Sequence, residues 1–398
     1  MESAVPDARG ALVVALGRAL HEAGAPAHRL EASIDALSRS LGVPVSALSQ
    51  PTSLILDLGD RTYVLRVEPG EVNLARMVAI DAVAADVSRG SLNAHEGLAA
   101  LAAIQTAPPP YPGWLSVLST AASSAAAAVF FDAPPLAIAT AAGLGAFVGC
   151  LSQISVSFAG YRRLHELAAP FAVAAIATAL GRVLPVSATL VTLAGIVSLL
   201  PGLSLTVALT ELATRHLSSG TARLVGAVVT LLQLGIGTAL GWRLAALLPR
   251  ALKPVGEPLA DIFQVLVVPI AAAAFVVSFR ARPRDYPWIV GVSLVAFVAA
   301  RQGQHLLGPE LGACVGGLVV GLLSNLQAVV RRVPTAVTQV PALILLVPGS
   351  VGFRGFGAML DNDVTAGVDA GFRMLVIAGS LVAGLLAAGV LLPPRRHL

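Results

Sequence analysis

The chain predicts a polytopic α-helical membrane protein carrying a soluble α+β domain at its N-terminus. Its 398 residues are 56% hydrophobic and only 12% charged, and mean hydropathy is +0.82, more apolar surface than a soluble domain of this size needs. The charge is uneven, residues 1–107 reading like a water-soluble protein and the rest like a series of spans. Two apolar runs also end in matching Pro-Gly breaks, Leu199-Leu200-Pro201-Gly202-Leu203-Ser204 and Leu346-Val347-Pro348-Gly349-Ser350-Val351.

In the N-terminal head, Leu12, Leu16 and Leu20 share one helical face within 8–24, and Leu30, Ile34, Leu37 and Leu41 share another within 27–41. Gly24 and Gly42 are helix stops. Thr52–Leu58 and Thr62–Glu68 flank Gly59-Asp60 as a β-hairpin, and Val43–Leu48 supplies a third strand. Helices resume over Asn73–Arg89 and Asn93–Thr106, capped by the two asparagines. A stiff, Pro-rich linker at 108–113 leads into Trp114, an interfacial aromatic. The apolar stretch Ala11–Leu20 carries Arg18 and is followed by His21 and Glu22, which argues against a signal peptide.

Ten apolar segments can be drawn beyond the linker, at 114–131, 136–157, 168–184, 187–208, 224–248, 262–280, 287–303, 310–330, 334–352 and 368–392. Residues 114–252 and 253–398 then form two membrane repeats of five helices each. With the N-terminus inside, inner connections hold Arg162, Arg163, Arg215, Arg223, Arg280, Arg282, Arg284, Arg331, Arg332, Arg395 and Arg396, and outer ones hold Arg182, Arg243, Arg250, Lys253, Arg301 and Arg354. That bias puts both termini in the cytoplasm of a plasma membrane. Pro348 follows Pro201 by 147 positions, the separation that also relates Gly367 to Gly220 and Gly384 to Gly237. An odd number of spans per repeat forces the two repeats into opposite orientations. Pro-Gly inside a span frees backbone groups that lipid cannot satisfy, so such breaks line cavities, and paired ones mark a transporter's substrate site.

These residues, read together, resemble the bacterial threonine/serine exporter family over nearly the full chain. The resemblance is carried by Ala27-His28-Arg29-Leu30-Glu31, Pro51-Thr52-Ser53 and Val72-Asn73-Leu74-Ala75-Arg76 in the head, by Leu200-Pro201-Gly202, and above all by Pro348-Gly349-Ser350-Val351-Gly352-Phe353-Arg354-Gly355. It implies a cytoplasmic head on a bacterial inner-membrane transporter that exports small hydroxy amino acids against a proton gradient. Its partners would be the amino acid, protons and the lipid bilayer, with a homo-oligomer allowed. The rival readings are export of another small polar metabolite, and a membrane-anchored hydrolase acting through the head.

A zwitterionic amino acid needs N–H donors for its carboxylate and carbonyls for its ammonium, and a broken helix offers both. The substrate candidates are therefore Pro201, Gly202, Ser204, Thr206, Pro348, Gly349, Ser350 and Arg354. Ser204 and Thr206 could instead satisfy their own helix backbone, and Arg354 could instead mark the interface. A helix over Leu203–Leu217 would align Ser204, Ala208, Glu211 and Arg215 on one face. Ionisable groups in or beside spans are costly without a purpose, which nominates Glu211, Asp369 and Glu310 for proton coupling, with Glu211 foremost. His165 and Glu166 read as part of a solvated charge cluster beside Arg162 and Arg163, and His28 with Glu31 as a surface pair. Cys150 and Cys314 read as buried packing thiols rather than a disulfide or metal pair. The glycine-rich stretch 312–321 lacks the Lys-Ser/Thr of a phosphate loop, and the net charge of +4 reflects arginines at span ends. Neither cofactor, metal nor nucleic acid is expected.

The orientation has a direct test. Cysteines introduced at Ser3 and His397, on a background lacking Cys150 and Cys314, are expected to resist an impermeant thiol reagent in intact cells. Labelling of either from outside would overturn the topology.

Overall fold

The computed structural model describes residues 7–67, 70–162, 164–245, 252–347, 355 and 363–393. In the head, α1 (Ala8–Glu22) and α2 (Ala27–Leu41) precede a three-stranded antiparallel sheet ordered β1 (Ser46–Gln50), β2 (Ser53–Asp57), β3 (Thr62–Arg66), and α3 (Leu74–Ser88) and α4 (Ala94–Thr106) follow. The register pairs Ser46 with Asp57 and Ser53 with Arg66. β1 starts later than the sequence pattern suggests, consistent with Pro44, which cannot donate a ladder bond. Gly42 closes α2 with a left-handed φ of 68°. Asn73 caps α3 by accepting from Arg76 N–H, and Asn93 with Glu96 forms a capping box on α4. Leu12, Leu16, Leu30, Ile34, Leu54 and Leu56 fill the core, each no more than 1% exposed.

That core does not stop at the head. It runs into Ala272, Val276, Ala281 and Ile289 of the second half of the chain. Leu74 and Ala75 N–H, at the start of α3, donate to the carbonyls of Phe279 and Arg280 at 2.9 and 3.1 Å. The Tyr111 hydroxyl in the linker donates to Ala281 O at 2.6 Å. The described part of the head is thus docked on the helical part rather than tethered to it.

Beyond the linker the chain is helical: α5 (Gly113–Phe130), α6 (Pro135–Ser157), α7 (Ala159–Arg162), α8 (His165–Val183), α9 (Ala188–Gly195), α10 (Gly202–Ala213), α11 (Leu217–Ala245), α12 (Ile262–Leu266), α13 (Val268–Ser278), α14 (Tyr286–Leu307), α15 (Pro309–Arg331), α16 (Ala336–Leu346) and α17 (Val364–Leu391). Six of these, α5, α6, α8, α11, α15 and α17, are long and apolar enough to cross a membrane, which describes a multi-pass membrane protein. A seventh span results if α9 and α10 are counted as one helix bent by 46°. The 262–278 and 336–346 helices are apolar but shorter.

The first break falls where Pro201-Gly202 predicts it: α9 ends at Gly195, a 3₁₀ turn covers Val197–Leu199, and α10 starts at Gly202. The helix expected over Leu203–Leu217 is shorter than that. It stops at Ala213, and Arg215 adopts a left-handed φ of 68°, so Arg215 leaves the Ser204 face and is exposed. Cys150 is exposed on the outside of α6 rather than buried, and both cysteines are free.

Candidate functional site

The helices enclose a cavity of about 1190 Å³. The first broken region reaches it through Leu200, Pro201, Gly202 and Ser204, and the C-terminal end of α16 reaches it through Leu346 and Val347. Pro348, Gly349, Ser350 and Arg354 lie outside the described residues. The α10 ladder begins with Leu205 N–H donating to Pro201 O at 3.0 Å. The amides of Gly202, Leu203 and Ser204 therefore have no acceptor in their own helix, and the positive end of its dipole faces the cavity.

Opposite the break, α5 presents a row of hydroxyls, Ser116, Ser119, Thr120 and Ser123. Ser119 sits 3.0 Å from Ser278 Oγ on α13, joining the two halves. Thr120 donates to Ser116 O at 2.9 Å, which leaves its oxygen lone pairs free. On the remaining wall, Glu166 Oε2 accepts from the Thr230 hydroxyl at 3.0 Å, and His165 Nε2 lies 3.2 Å from Ser152 Oγ. The sequence reading set these two aside as a solvated cluster. They instead open α8 and face the cavity, because α8 starts at His165 and not at 168.

Polar clusters stand at both ends. Away from the head, Arg301 holds Asp261 at 2.7 Å and also donates to the Gln264 carbonyl, and Gln264 donates to Asp132 at 2.7 Å. At the head end, Glu211 is wholly buried. Its carboxylate accepts from Ala27 N–H (2.9 Å), Ser219 Oγ (2.8 Å), and the Arg223 guanidinium at 3.1 and 3.3 Å. Ser219 and Arg223 line the cavity, whereas Glu211 does not. Glu211 thus fastens α2 of the head to α10 and α11.

The other candidates also fall outside the cavity. Thr206 is 1% exposed and its hydroxyl donates to Gly202 O at 3.2 Å. Asp369 is exposed and paired with Arg373 at 2.9 Å. Glu310 sits in the first turn of α15, where its charge suits the helix dipole. Two head residues read as a surface pair are interfacial instead: Glu31 holds His216 at 3.2 Å and Ser49 N–H at 2.8 Å, and the His28 ring stands 6.1 Å from that of His216. Nothing near His28 in sequence announces this, since its neighbours come from beyond residue 210. Among the described residues no group of three or more His, Cys, Asp or Glu is placed to hold a metal ion.

Burial pushes the His28 pKa down to about 3, and charge repulsion from Arg29, His216 and Arg223 adds to it. A histidine held neutral in the fold binds fewer protons than in the unfolded chain, so its contribution is complete above pH 6.5 and is lost progressively from there towards pH 3. The melting temperature is therefore expected to fall on acidification below pH 6.5, and His28→Asn to flatten that fall. An identical pH profile in both proteins would exclude His28 as its source.

Replacing Glu211 with glutamine turns one acceptor into a donor facing other donors and leaves Arg223 without its counter-charge. Breaking such a buried pair costs roughly 3–5 kcal/mol. Glu211→Gln should melt earlier and be cut faster by protease in the 108–113 linker. Unchanged melting and cleavage would mean that the head is held by other contacts.

A family profile described as "Putative threonine/serine exporter" matches residues 11–245, and a second, "Threonine/Serine exporter, ThrE", matches residues 264–391. Curated relatives include "Pheromone-regulated membrane protein 10" of Saccharomyces cerevisiae (strain YJM789), 26% identical over 97% of this chain and 54% of the relative. The protein of the same name from Candida albicans (strain SC5314 / ATCC MYA-2876) is 23% identical over 97% of this chain and 38% of the relative. "Uncharacterized protein C16A10.01" of Schizosaccharomyces pombe (strain 972 / ATCC 24843) is 23% identical over 93% and 49%. The chain thus spans about a third to a half of the length of these fungal proteins. No solved structure matches. With the first profile alone covering more than half of its length, the chain belongs to the threonine/serine exporter family.

Proposed function

We propose that this protein is a secondary transporter that exports threonine or serine in exchange for protons. The observation that carries the reading is a cavity onto which the first break and the end of α16 both open, with the amides of Gly202, Leu203 and Ser204 on one side and the α5 hydroxyls on the other. The amides suit an amino acid's carboxylate. Ser119, Thr120 and Ser123 suit a hydroxyl side chain, and Glu166 suits the ammonium. A site that hydrogen-bonds a substrate hydroxyl discriminates strongly against analogues lacking one.

The architecture that fits this reading is ten spans in two inverted repeats. The head side can be traced by contacts: α5 begins there at the linker, α10 ends there at Glu211, α13 ends there at Phe279, Val333 and Val337 after α15 pack on Val78 of α3, and Asn325 near the end of α15 holds Leu392 O at 2.7 Å, which brings the end of α17 to the same side. α5–α11 then alternate starting from the head side, and α12–α17 alternate starting from the opposite side. Gly237 and Gly384, 147 positions apart, behave alike. A Cβ on Gly237 would strike the Leu167 carbonyl on α8, and one on Gly384 would strike the Cys314 carbonyl on α15. Each thus seats the fifth span of its half against the third, at small residues that let helices approach closely. The arginine bias puts the head in the cytoplasm.

We assign proton coupling to Glu166. Glu166 lines the cavity, as does Glu71, but Glu71 is held by Arg280 whereas among the described residues Glu166 is bonded by the neutral Thr230 hydroxyl, so substrate ammonium and proton can compete for the same oxygen atoms. Glu211, Asp369 and Glu310 lack that access in this conformation. Alternating access would require opening the Arg301 cluster on one side and closing the head side, as in other repeat-based transporters.

Efflux of labelled threonine from loaded proteoliposomes should be driven by an inward proton gradient and stopped by a protonophore. Serine should compete, and alanine and valine should compete weakly. Glu166→Gln should keep threonine exchange down its own gradient and lose uphill export. Export by Glu166→Gln with unchanged dependence on the proton gradient would move coupling elsewhere, and the absence of any threonine flux would leave another small polar metabolite as the cargo.

A further inference from the structure

A second, smaller cavity of about 70 Å³ lies between the head, α10 and α16. Its walls come from the start of α2, from α10 and from α16. Most of its lining is apolar, Leu203, Val207, Val340 and Leu343 among it, yet Arg29 is part of its wall. Arg29 has no hydrogen-bond or ion-pair partner among the described residues, and it is buried deeply enough for desolvation to lower its pKa. No carboxylate is among its described lining residues, and Glu211 and Glu31 on the adjoining elements are engaged elsewhere, Glu211 by Arg223, Ser219 and Ala27, and Glu31 by His216 and Ser49. Two further polar groups are idle beside Arg29. Nδ1 of His28 is buried without a partner, and the Gln339 side-chain amide has no partner among the described residues. The Thr206 and Thr210 hydroxyls donate to backbone carbonyls of their own helix.

An unpaired guanidinium in an apolar seam is costly, and the cost is removed when an anion joins it. The planar fork of arginine matches a carboxylate in two parallel hydrogen bonds. A water needs roughly 10–15 Å³ of such space, so a cavity of about 70 Å³ has room for a carboxylate group. We propose that Arg29, together with His28 and Gln339, binds the carboxylate of a small carboxylic acid in the seam between the head, α10 and α16. The ligand would touch the head, α10 and α16 at once, so its arrival or departure would be felt by both halves of the protein. Gly24, Ala25 and Val72 edge this cavity and the large one alike, which puts the site at the head-side margin of the central cavity. Carboxylate binding as such does not depend on the transport reading. That the exported amino acid is the natural occupant does.

The test uses the full chain in detergent at pH 7.5 and constant ionic strength, with melting followed by intrinsic fluorescence. Acetate is expected to raise the melting temperature saturably, and chloride at matched ionic strength is not. Arg29→Gln should raise the half-saturating acetate concentration at least tenfold, and Arg373→Gln, which removes an exposed arginine outside both cavities, should leave it unchanged. Should Arg29→Gln fail to fold, Arg29→Lys, which keeps the charge and loses the fork, should raise it several-fold. Threonine should stabilise like acetate, and threonine methyl ester should not. Unchanged half-saturation in the Arg29 variants, loss of the acetate effect in Arg373→Gln, or an equal effect of chloride would each overturn the site. If acetate binds as expected but threonine does not, the site stands and its link to the exported amino acid falls.

Discussion

A helix that breaks inside a membrane leaves backbone N–H and C=O groups with no partner, and lipid supplies none. Around Pro201-Gly202 that constraint arranges much of the fold. The free amides of Gly202, Leu203 and Ser204 have to face water or a polar ligand, so α5, α8 and α11 stand back and bring Ser119, Thr120, Glu166 and Thr230 to the opening. Because α9 and α10 meet at 46°, α10 is short and reaches the head-side surface as a separate rod. A short rod with few lipid-facing residues needs a polar anchor at its far end, and Glu211 is that anchor.

The head is consequently better understood as part of the helical assembly than as an appended domain. Its attachment to the two halves differs in kind. Against α10 and α11 the contact is polar and directional: a buried carboxylate on α10 takes donors from two separate segments, α2 and α11. Against α13 and α14 it is an apolar core continuous with the head's own, supplemented by the amides of Leu74 and Ala75. The Glu71–Arg280 pair on that side is exposed at both ends and adds on the order of 0–1 kcal/mol.

Local rules explain what could be read from the residues alone. Asn73 and Asn93 are caps because a short side chain can reach back to the first turn, a matter of three residues. The expected segments 136–157 and 310–330 differ by a residue or so from α6 and α15, since Pro135 and Pro309 start those helices where a missing N–H is harmless. Pro201-Gly202 announced a break for the same reason. What was not legible depends on contacts between distant segments. The partner of Glu211 is the amide of Ala27, 184 positions earlier, and a backbone amide carries no sequence signature. Glu166 looked solvated because Arg162 and Arg163 precede it, but α8 begins just late enough to turn it inward. Thr206 looked like a substrate contact because it sits two residues from Ser204, and on a helix that spacing turns it about 160° away.

The two kinds of attachment constrain any motion by which the cavity could change sides. Moving α10 relative to the head would expose or strand Glu211 and Arg223, at roughly 3–5 kcal/mol for a buried pair left incomplete. Sliding along the α13–α14 seam is less costly, because apolar contact is non-directional and the amides of Leu74 and Ala75 can exchange their carbonyls for water at about 1 kcal/mol each. The head should therefore travel with α10, and relative movement of the halves should be taken up where α3 meets Phe279 and Arg280. Ser119 and Ser278, 3.0 Å apart on α5 and α13, lie across the same division. A hydroxyl pair there can part and be satisfied by water, whereas the Glu211 network cannot part without leaving a buried charge behind.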